Sequence, residues 1–343
     1  MSTTLTLQLP APAQKRLPVL DELKGLAIIL IVLYHAGGVL VWQNLLHGDV
    51  GVDMFVIISG IGLTLGGSYT NAQSFLLRRF SRILPAYWVA LAFYWALNSY
   101  FLQHHYTPLN IGLHFLGVHA CFGDQYAMGI NDSFWFITLI LFLYCQYCIV
   151  RRWLAQPDRL LVVGMGTSVG LALICFYWNQ PAVFGHLTLR LPGFFIGLVV
   201  GESLRRGRLE IPLSWQLGLA VFIYFYVPYT QGIIIYSPLV GGALMLGYAL
   251  GLRPGLSARA QNRLGAILEF FGRYSLEIFL FHQPLIREYV YYSLGRFLHI
   301  VQPSSLQLIG AMTVGFALTL LISVELHRFI NWLLFNRKGA LPA

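Results

Sequence analysis

Of 343 residues, 57% are hydrophobic and only 10% are charged, with a mean hydropathy of +0.67. That composition excludes an ordinary soluble domain and reads as an integral membrane protein. The net charge of +9 falls in short basic clusters between apolar runs, which fits membrane topology rather than the basic face of a nucleic-acid binder.

Apolar runs of spanning length lie at 24–42, 51–67, 84–102, 133–150, 160–178, 185–203, 213–229, 232–252, 266–286 and 307–334. The expected fold is therefore all-α, with about ten transmembrane helices. The first run continues past Trp42 and is too long for a cleavable signal, so the N-terminus is expected to persist in the mature protein. Basic clusters occur at Lys15 and Arg16, Arg78, Arg79 and Arg82, Arg151 and Arg152, Arg205, Arg206 and Arg208, Arg253, Arg259 and Arg263, and Arg337 and Lys338. With ten spans every one of them faces the cytoplasm, as do both termini. The stretch 103–132 is then an external or re-entrant segment, rich in His, Tyr and Asn. No internal repeat is visible. One domain over 19–336 is expected, with cytoplasmic segments at 1–18 and 337–343.

The first run holds Lys24 and His35 in LKGLAIILIVLYH. Eleven helical steps place them within about 20° of each other and roughly 16 Å apart along the axis, so one extended molecule could touch both. Ionisable groups inside a bilayer are expensive and are functional candidates by default. In the second run, GVDMFVIISG, Ser59 is expected near the depth of His35 and Asp53 closer to the outer surface. Asp53 reads either as a helix cap or as a carboxylate that fixes and stabilises a basic imidazole.

Arg78, Arg79 and Arg82 precede the third run, with Arg79 and Arg82 on one helix face. They read as a topology signal, an anionic-lipid contact, or a bidentate phosphate site. Trp135 opens the fourth run and reads as an interfacial anchor. Cys145 and Cys148 lie in apolar surroundings without a second ligand pair, and no metal site is expected. Arg190, at the external start of the sixth run, would contact a polar acceptor or snorkel to headgroups. In the ninth run Glu277 follows Arg273 by four residues, which suggests an internal ion pair, and His282 reads as either a helix-bridging or a substrate-contacting histidine.

Five segments in order resemble the membrane-bound acyltransferase 3 family across nearly the whole chain. RLPVLDELKGLAIILIVLYHAGG is similar to the family's opening motif, GVDMFVIISGIGLT to its second-helix motif, and LLRRFSRILPAYW to its Arg-x-x-Arg segment. SFWFITLILFLY resembles its Trp-Phe helix and SLEIFLFHQPL its late helix with a histidine. Two departures are visible: Lys24 stands where the family commonly has Arg, and the Trp-containing helix lacks the acidic residues of some branches.

The resemblance implies O-acetyl transfer in the bacterial inner membrane, from cytoplasmic acetyl-CoA or another acyl-CoA to a hydroxyl of an envelope polysaccharide or lipid-linked glycan. It implies His35 as catalytic histidine, Lys24 as its basic partner, Asp53 as motif carboxylate, and Arg79 with Arg82 as the donor-binding pair beside Arg78. Ser59, Trp135, Arg190, Glu277 and His282 are candidates for acceptor contact or support. The acyl-CoA is a co-substrate, and no permanently bound cofactor is expected. Direct transfer and an acyl-histidine intermediate both stay open. The competing class is a polytopic transporter or flippase for a polysaccharide precursor, which intramembrane charges would also suit, although no inverted repeat is seen. No soluble domain accompanies the apolar runs, so an enzyme working without one is expected, with a protein partner or homo-oligomer left open.

Overall fold

The segment carrying Lys24 and His35 forms helix α1, Pro18–Gly37. The computed structural model describes residues 5–8, 17–37, 48–66, 69–122, 126, 129–160, 162–164, 166–167, 170, 190–211, 233–289 and 304–336. Helix α1 starts earlier than position 24 because Pro18 has a helical φ and needs no backbone donor there, and Asp21 favours the positive end of the helix dipole. His35 lies in the last turn of α1, which ends at Gly37.

Helix α2 is Gly48–Leu65 and α3 is Ala72–Phe101. The side chain of Asn71 caps α3 by accepting from the Ser74 amide at 2.8 Å, so Arg78, Arg79 and Arg82 lie within the helix rather than ahead of it. Helix α4, Pro108–Phe115, starts with a Thr107 cap and Pro108 in its first turn. Two of its final carbonyls are taken by α3: Tyr87 donates to His114 O at 2.8 Å and Trp88 to Phe115 O at 2.9 Å. Eight residues are too short to span, so α4 hangs on α3 as part of the expected non-spanning segment.

Helix α5 is Trp135–Val150, α6 Leu191–Arg206, and α7 Ile233–Leu246, which continues as a π-helical turn over Gly247–Leu252. The single span expected at 266–286 is instead two helices, α8 Ala258–Arg273 and α9 Ser275–Gln283, broken at Tyr274, with a π-helical turn Pro284–Tyr289 after them. Helix α10 is Ser305–Asn336. The all-α expectation also misses a small ribbon in which β1, Leu5–Gln8, pairs antiparallel with β2, Arg208–Ile211. It sets the N-terminal segment beside the end of α6.

Among the described residues, three helices are long and apolar enough to cross a membrane: Ala72–Phe101, Trp135–Trp153 and Ser305–Leu334. The expected span at 213–229, most of that at 160–178, Trp42, Cys175, and the Lys15–Arg16 and Arg337–Lys338 clusters lie outside the described residues.

Close helix approach builds the frame around α1 and α2. A Cβ on Gly197 of α6 would overlap the Ile57 carbonyl of α2, and one on Gly25 of α1 would overlap the Leu268 carbonyl of α8. Small residues let helix backbones meet where lipid supplies no hydrophobic drive for association. On α8 Gly265, Leu268 and Gly272 are buried while Arg259, Arg263 and Arg273 are exposed. The main core, including Ile28, Val52, Val56, Tyr87, Tyr94, Phe134, Phe194 and Phe281, joins α1, α2, α3, α5, α6 and α9.

Candidate active site

The candidate site has two ends. At one, the half-buried His35 of α1 meets the fully buried His282 of α9. His282 Nε2 lies 3.1 Å from His35 Nδ1, with ring centroids 4.8 Å apart and the planes at 65°. His35 Nδ1 also lies 3.0 Å from the Ile31 carbonyl, and His282 Nδ1 lies 2.8 Å from the Phe279 carbonyl.

Sequence chemistry explains why His282 stands where it does. Pro284 has no N–H, so Leu280 O loses its usual helical donor, and the π-helical turn that follows shifts the backbone bonding of the next carbonyl. Side chains from elsewhere supply the missing donors: Asn131 Nδ2 donates to Leu280 O at 3.3 Å and Tyr94 OH to Phe281 O at 2.9 Å. The Ser133 hydroxyl also bonds Gln283. The end of α9 is thus pinned by α3 and by the residues leading into α5.

Asp53, Arg190 and Trp135 form a second group. Arg190 Nε is 3.7 Å from Asp53 Oδ1, each side chain is 1% exposed, and the Arg190 guanidinium lies 5.0 Å from the Trp135 ring centre. Arg190 therefore does not snorkel to headgroups, because a buried carboxylate and an aromatic face hold it inside. Trp135 packs that cation as well as opening its helix. The α1–α2 register also differs from expectation. Gly51 abuts the Ala27 carbonyl and Ile31, so the antiparallel step from Gly51 to Asp53 leads down α1, away from His35. Ser59, half-buried, lies further along α2 in the same direction.

Glu277 does not form the expected helical pair with Arg273. The break at Tyr274 interrupts that spacing and leaves Arg273 exposed, while Glu277 accepts from His327 Nδ1 of α10 at 2.8 Å.

The other end lies where α2 finishes and α3 begins. The Arg79 guanidinium sits 5.4 Å from the Phe75 ring centre and 5.7 Å from that of Tyr144. Arg151 lies 3.7 Å over Tyr69, whose ring packs on Phe75, and Tyr147 donates to Leu63 O at 3.2 Å near the end of α2. Arg78 and Arg82 are exposed beside this aromatic bed. Lys24 Nζ donates to Asp21 Oδ1 at 3.0 Å and keeps 34% of its side chain exposed. The regular helix between Lys24 and His35 keeps the two on one face of α1.

Several residues of the two ends were not distinguished by sequence reasoning. Arg151 was grouped with the topology clusters, and Tyr69 and Tyr144 carried no signal except aromatic density near basic residues. Glu22, beside the opening motif, is 2% exposed and accepts from Tyr248 OH and Arg253 Nε, both at 2.7 Å, which ties α1 to the end of α7.

Residues 17–328 match the family model described as an acyltransferase domain, acyltransferase 3. Among curated proteins, the chain is 23% identical over 326 residues to the peptidoglycan O-acetyltransferase OatA of Listeria monocytogenes serovar 1/2a, which covers 80% of this chain and 50% of OatA. It is 38% identical over 89 residues to BcsY of Komagataeibacter xylinus, which its name proposes as a membrane-bound transacylase, covering 23% of this chain and 22% of BcsY. The chain thus spans half the length of the first relative and less than a quarter of the second. No solved structure matches.

Proposed function

The chain belongs to the acyltransferase 3 family, and from that premise we propose that it is a multi-pass O-acyltransferase of the bacterial cytoplasmic membrane. It moves an acyl group, acetyl in the simplest case, from cytoplasmic acyl-CoA to a hydroxyl of an envelope glycan or lipid-linked saccharide. The observation that carries this reading is the pairing of half-buried His35 with buried His282, a basic imidazole held by a second ring at the end of α1.

In this reading the His35 imidazole takes the acceptor hydroxyl proton as that oxygen bonds to the thioester carbonyl carbon. The adduct then breaks its carbon–sulfur bond, and the departing thiolate recovers the proton from the imidazolium, leaving an ester and free CoA. A positioned base contributes about 10²- to 10⁴-fold to such a step. Arg79 and Arg82, with Arg78 and Arg151 beside the same aromatic bed and Lys24 contributed from α1, hold the donor phosphates on the cytoplasmic side, where arginine forks match phosphate oxygens. The α1 face between Lys24 and His35 is filled rather than open, since Ile28 and Ile31 on it are 0% and 1% exposed, so in this reading the acyl end reaches His35 by a path beside that face. Asp53 and Arg190 supply fixed buried charge beside Trp135.

The test uses purified protein in lipid nanodiscs with acyl-labelled acetyl-CoA and a lipid-linked glycan extract. Label reaching the glycan with wild type but not with a well-folded His35→Ala variant supports the reading. Donor left intact by the wild type in the presence of a competent acceptor pool rejects it and favours a transporter.

A further inference from the structure

We infer that His282 is a positioning residue that holds His35 in the Nδ1–H tautomer and so makes Nε2 the nitrogen that takes the acceptor's proton. This deepens the acyl-transfer reading and rests on it for its catalytic meaning, while the tautomer itself stands on geometry alone.

The assignment follows from what each nitrogen faces. His282 Nδ1 is 2.8 Å from the Phe279 carbonyl, and a carbonyl only accepts, so Nδ1 carries hydrogen. In a neutral imidazole Nε2 then carries the lone pair. That lone pair lies 3.1 Å from His35 Nδ1, which also lies 3.0 Å from the Ile31 carbonyl. Two acceptors converge on one ring nitrogen, so His35 Nδ1 carries hydrogen and its Nε2 carries the lone pair. The opposite tautomer on His35 would set its Nδ1 lone pair against the Ile31 oxygen and against the lone pair of His282.

The bond also does more in the transition state than before it. When His35 Nε2 takes the proton, the Nδ1–H bond to His282 becomes charge-assisted, and such bonds are about twice as strong as neutral ones. An interaction that strengthens as charge develops lowers the barrier rather than merely binding substrate. The ring of His282 is itself fixed, since it is fully buried and the carbonyls of the preceding Leu280 and Phe281 are held by Asn131 and Tyr94.

Two variants and one spectrum test the inference. His282→Leu removes the acceptor, and His282→Gln can restore one through its side-chain oxygen. The Leu variant should lose about 10- to 100-fold in kcat, part of the general-base contribution, with the KM for acyl-CoA unchanged. The Gln variant should recover most of that loss. Nitrogen-15 spectra of ring-labelled protein should find hydrogen on His35 Nδ1 in the wild type and a mixture of tautomers in His282→Leu. Hydrogen on His35 Nε2 in the wild type overturns the inference, as do unchanged turnover in His282→Leu or equal losses in both variants with an unaltered His35 spectrum. If the wild type fails to consume donor while its spectrum has the Nδ1–H form, the acyl-transfer reading falls and the tautomer stands.

Discussion

Arg190 Nε faces Asp53 Oδ1 at 3.7 Å, with both side chains 1% exposed. Taking two charges out of water is expensive, and removing one member of such a pair leaves the other without that compensation. Asp53→Asn and Arg190→Gln should therefore each destabilise the protein by about 3 kcal/mol. The double variant should cost less than the sum of the two, because the charge that loses this compensation in each single variant is itself removed. Thermal unfolding in detergent, followed by size-exclusion chromatography, measures this. Additive losses would mean that the two charges are not coupled.

Glu277 and His327 make a second testable pair. Glu277→Leu leaves the His327 donor without its acceptor and should cost about 1–3 kcal/mol, whereas Glu277→Gln keeps an acceptor oxygen and should cost less. Arg273→Ala should be close to neutral because Arg273 is exposed. An Arg273→Ala loss as large as that of Glu277→Leu would restore the helical ion pair expected from spacing.

The aromatic bed around Arg79 and Arg151 predicts a split in donor kinetics. Arg79→Ala and Arg151→Ala should each raise the apparent KM for acyl-CoA by about 10- to 100-fold, the worth of a charge-assisted hydrogen bond of roughly 1.5–3 kcal/mol, with a smaller change in kcat. Arg151→Lys should rescue poorly, because a compact ammonium cannot lie flat over Tyr69. Lys24→Ala should have the weaker effect, given its exposure and its bond to Asp21. Effects confined to acceptor use would place these residues on the wrong substrate.

His114 and His119 stack 4.0 Å apart in the non-spanning segment, both buried. Burial pulls the His114 ring down to about 4, against the opposing bond to the Asn110 carbonyl. Burial, then the neighbouring His114, hold His119 well below the usual histidine range. Unfolded histidine titrates near 6.5, so the opened segment binds more protons than the closed one as pH falls from there toward about 4. The closed segment should be most stable above that window and should open within it. The protection factor for hydrogen exchange over 108–121, which divides out the intrinsic slowing of amide exchange in acid, should fall through that window by up to about tenfold per pH unit for each ring. A His114→Leu, His119→Phe double variant should lose that acid dependence. A protection factor that stays constant in the wild type from about pH 6.5 to about 4 would dismiss it.

Periodicity and motif spacing located α2, α5 and α10 within a few residues, because long apolar runs in lipid leave few alternatives to helix. The same reading placed Lys24 and His35 on one face, and regular helix between them preserves it. Partners were harder to read. His35 meets a residue 247 positions away and Tyr94 caps a carbonyl 187 positions away, and no local pattern encodes such distances. The break at Tyr274 was hidden because apolar residues continue through it, so hydropathy alone joined α8 to α9. Arg190 looked external because a cation at the start of an apolar run resembles an anchor until its carboxylate is found on another helix. Arg151 was absorbed into a topology argument that accounts for its charge and says nothing of the ring beneath it.

Pro284 makes the alignment of the base depend on more than the helix that carries His282. Since α9 cannot satisfy its own terminal carbonyls, Tyr94 and Asn131 act as two guy-ropes on it, one anchored in α3 and the other just outside α5. Asn131 thereby links the residues before α5 to the turn of α9 that carries His282. The orientation of the ring that faces His35 is therefore set by three segments far apart in the chain, and not by α9 alone.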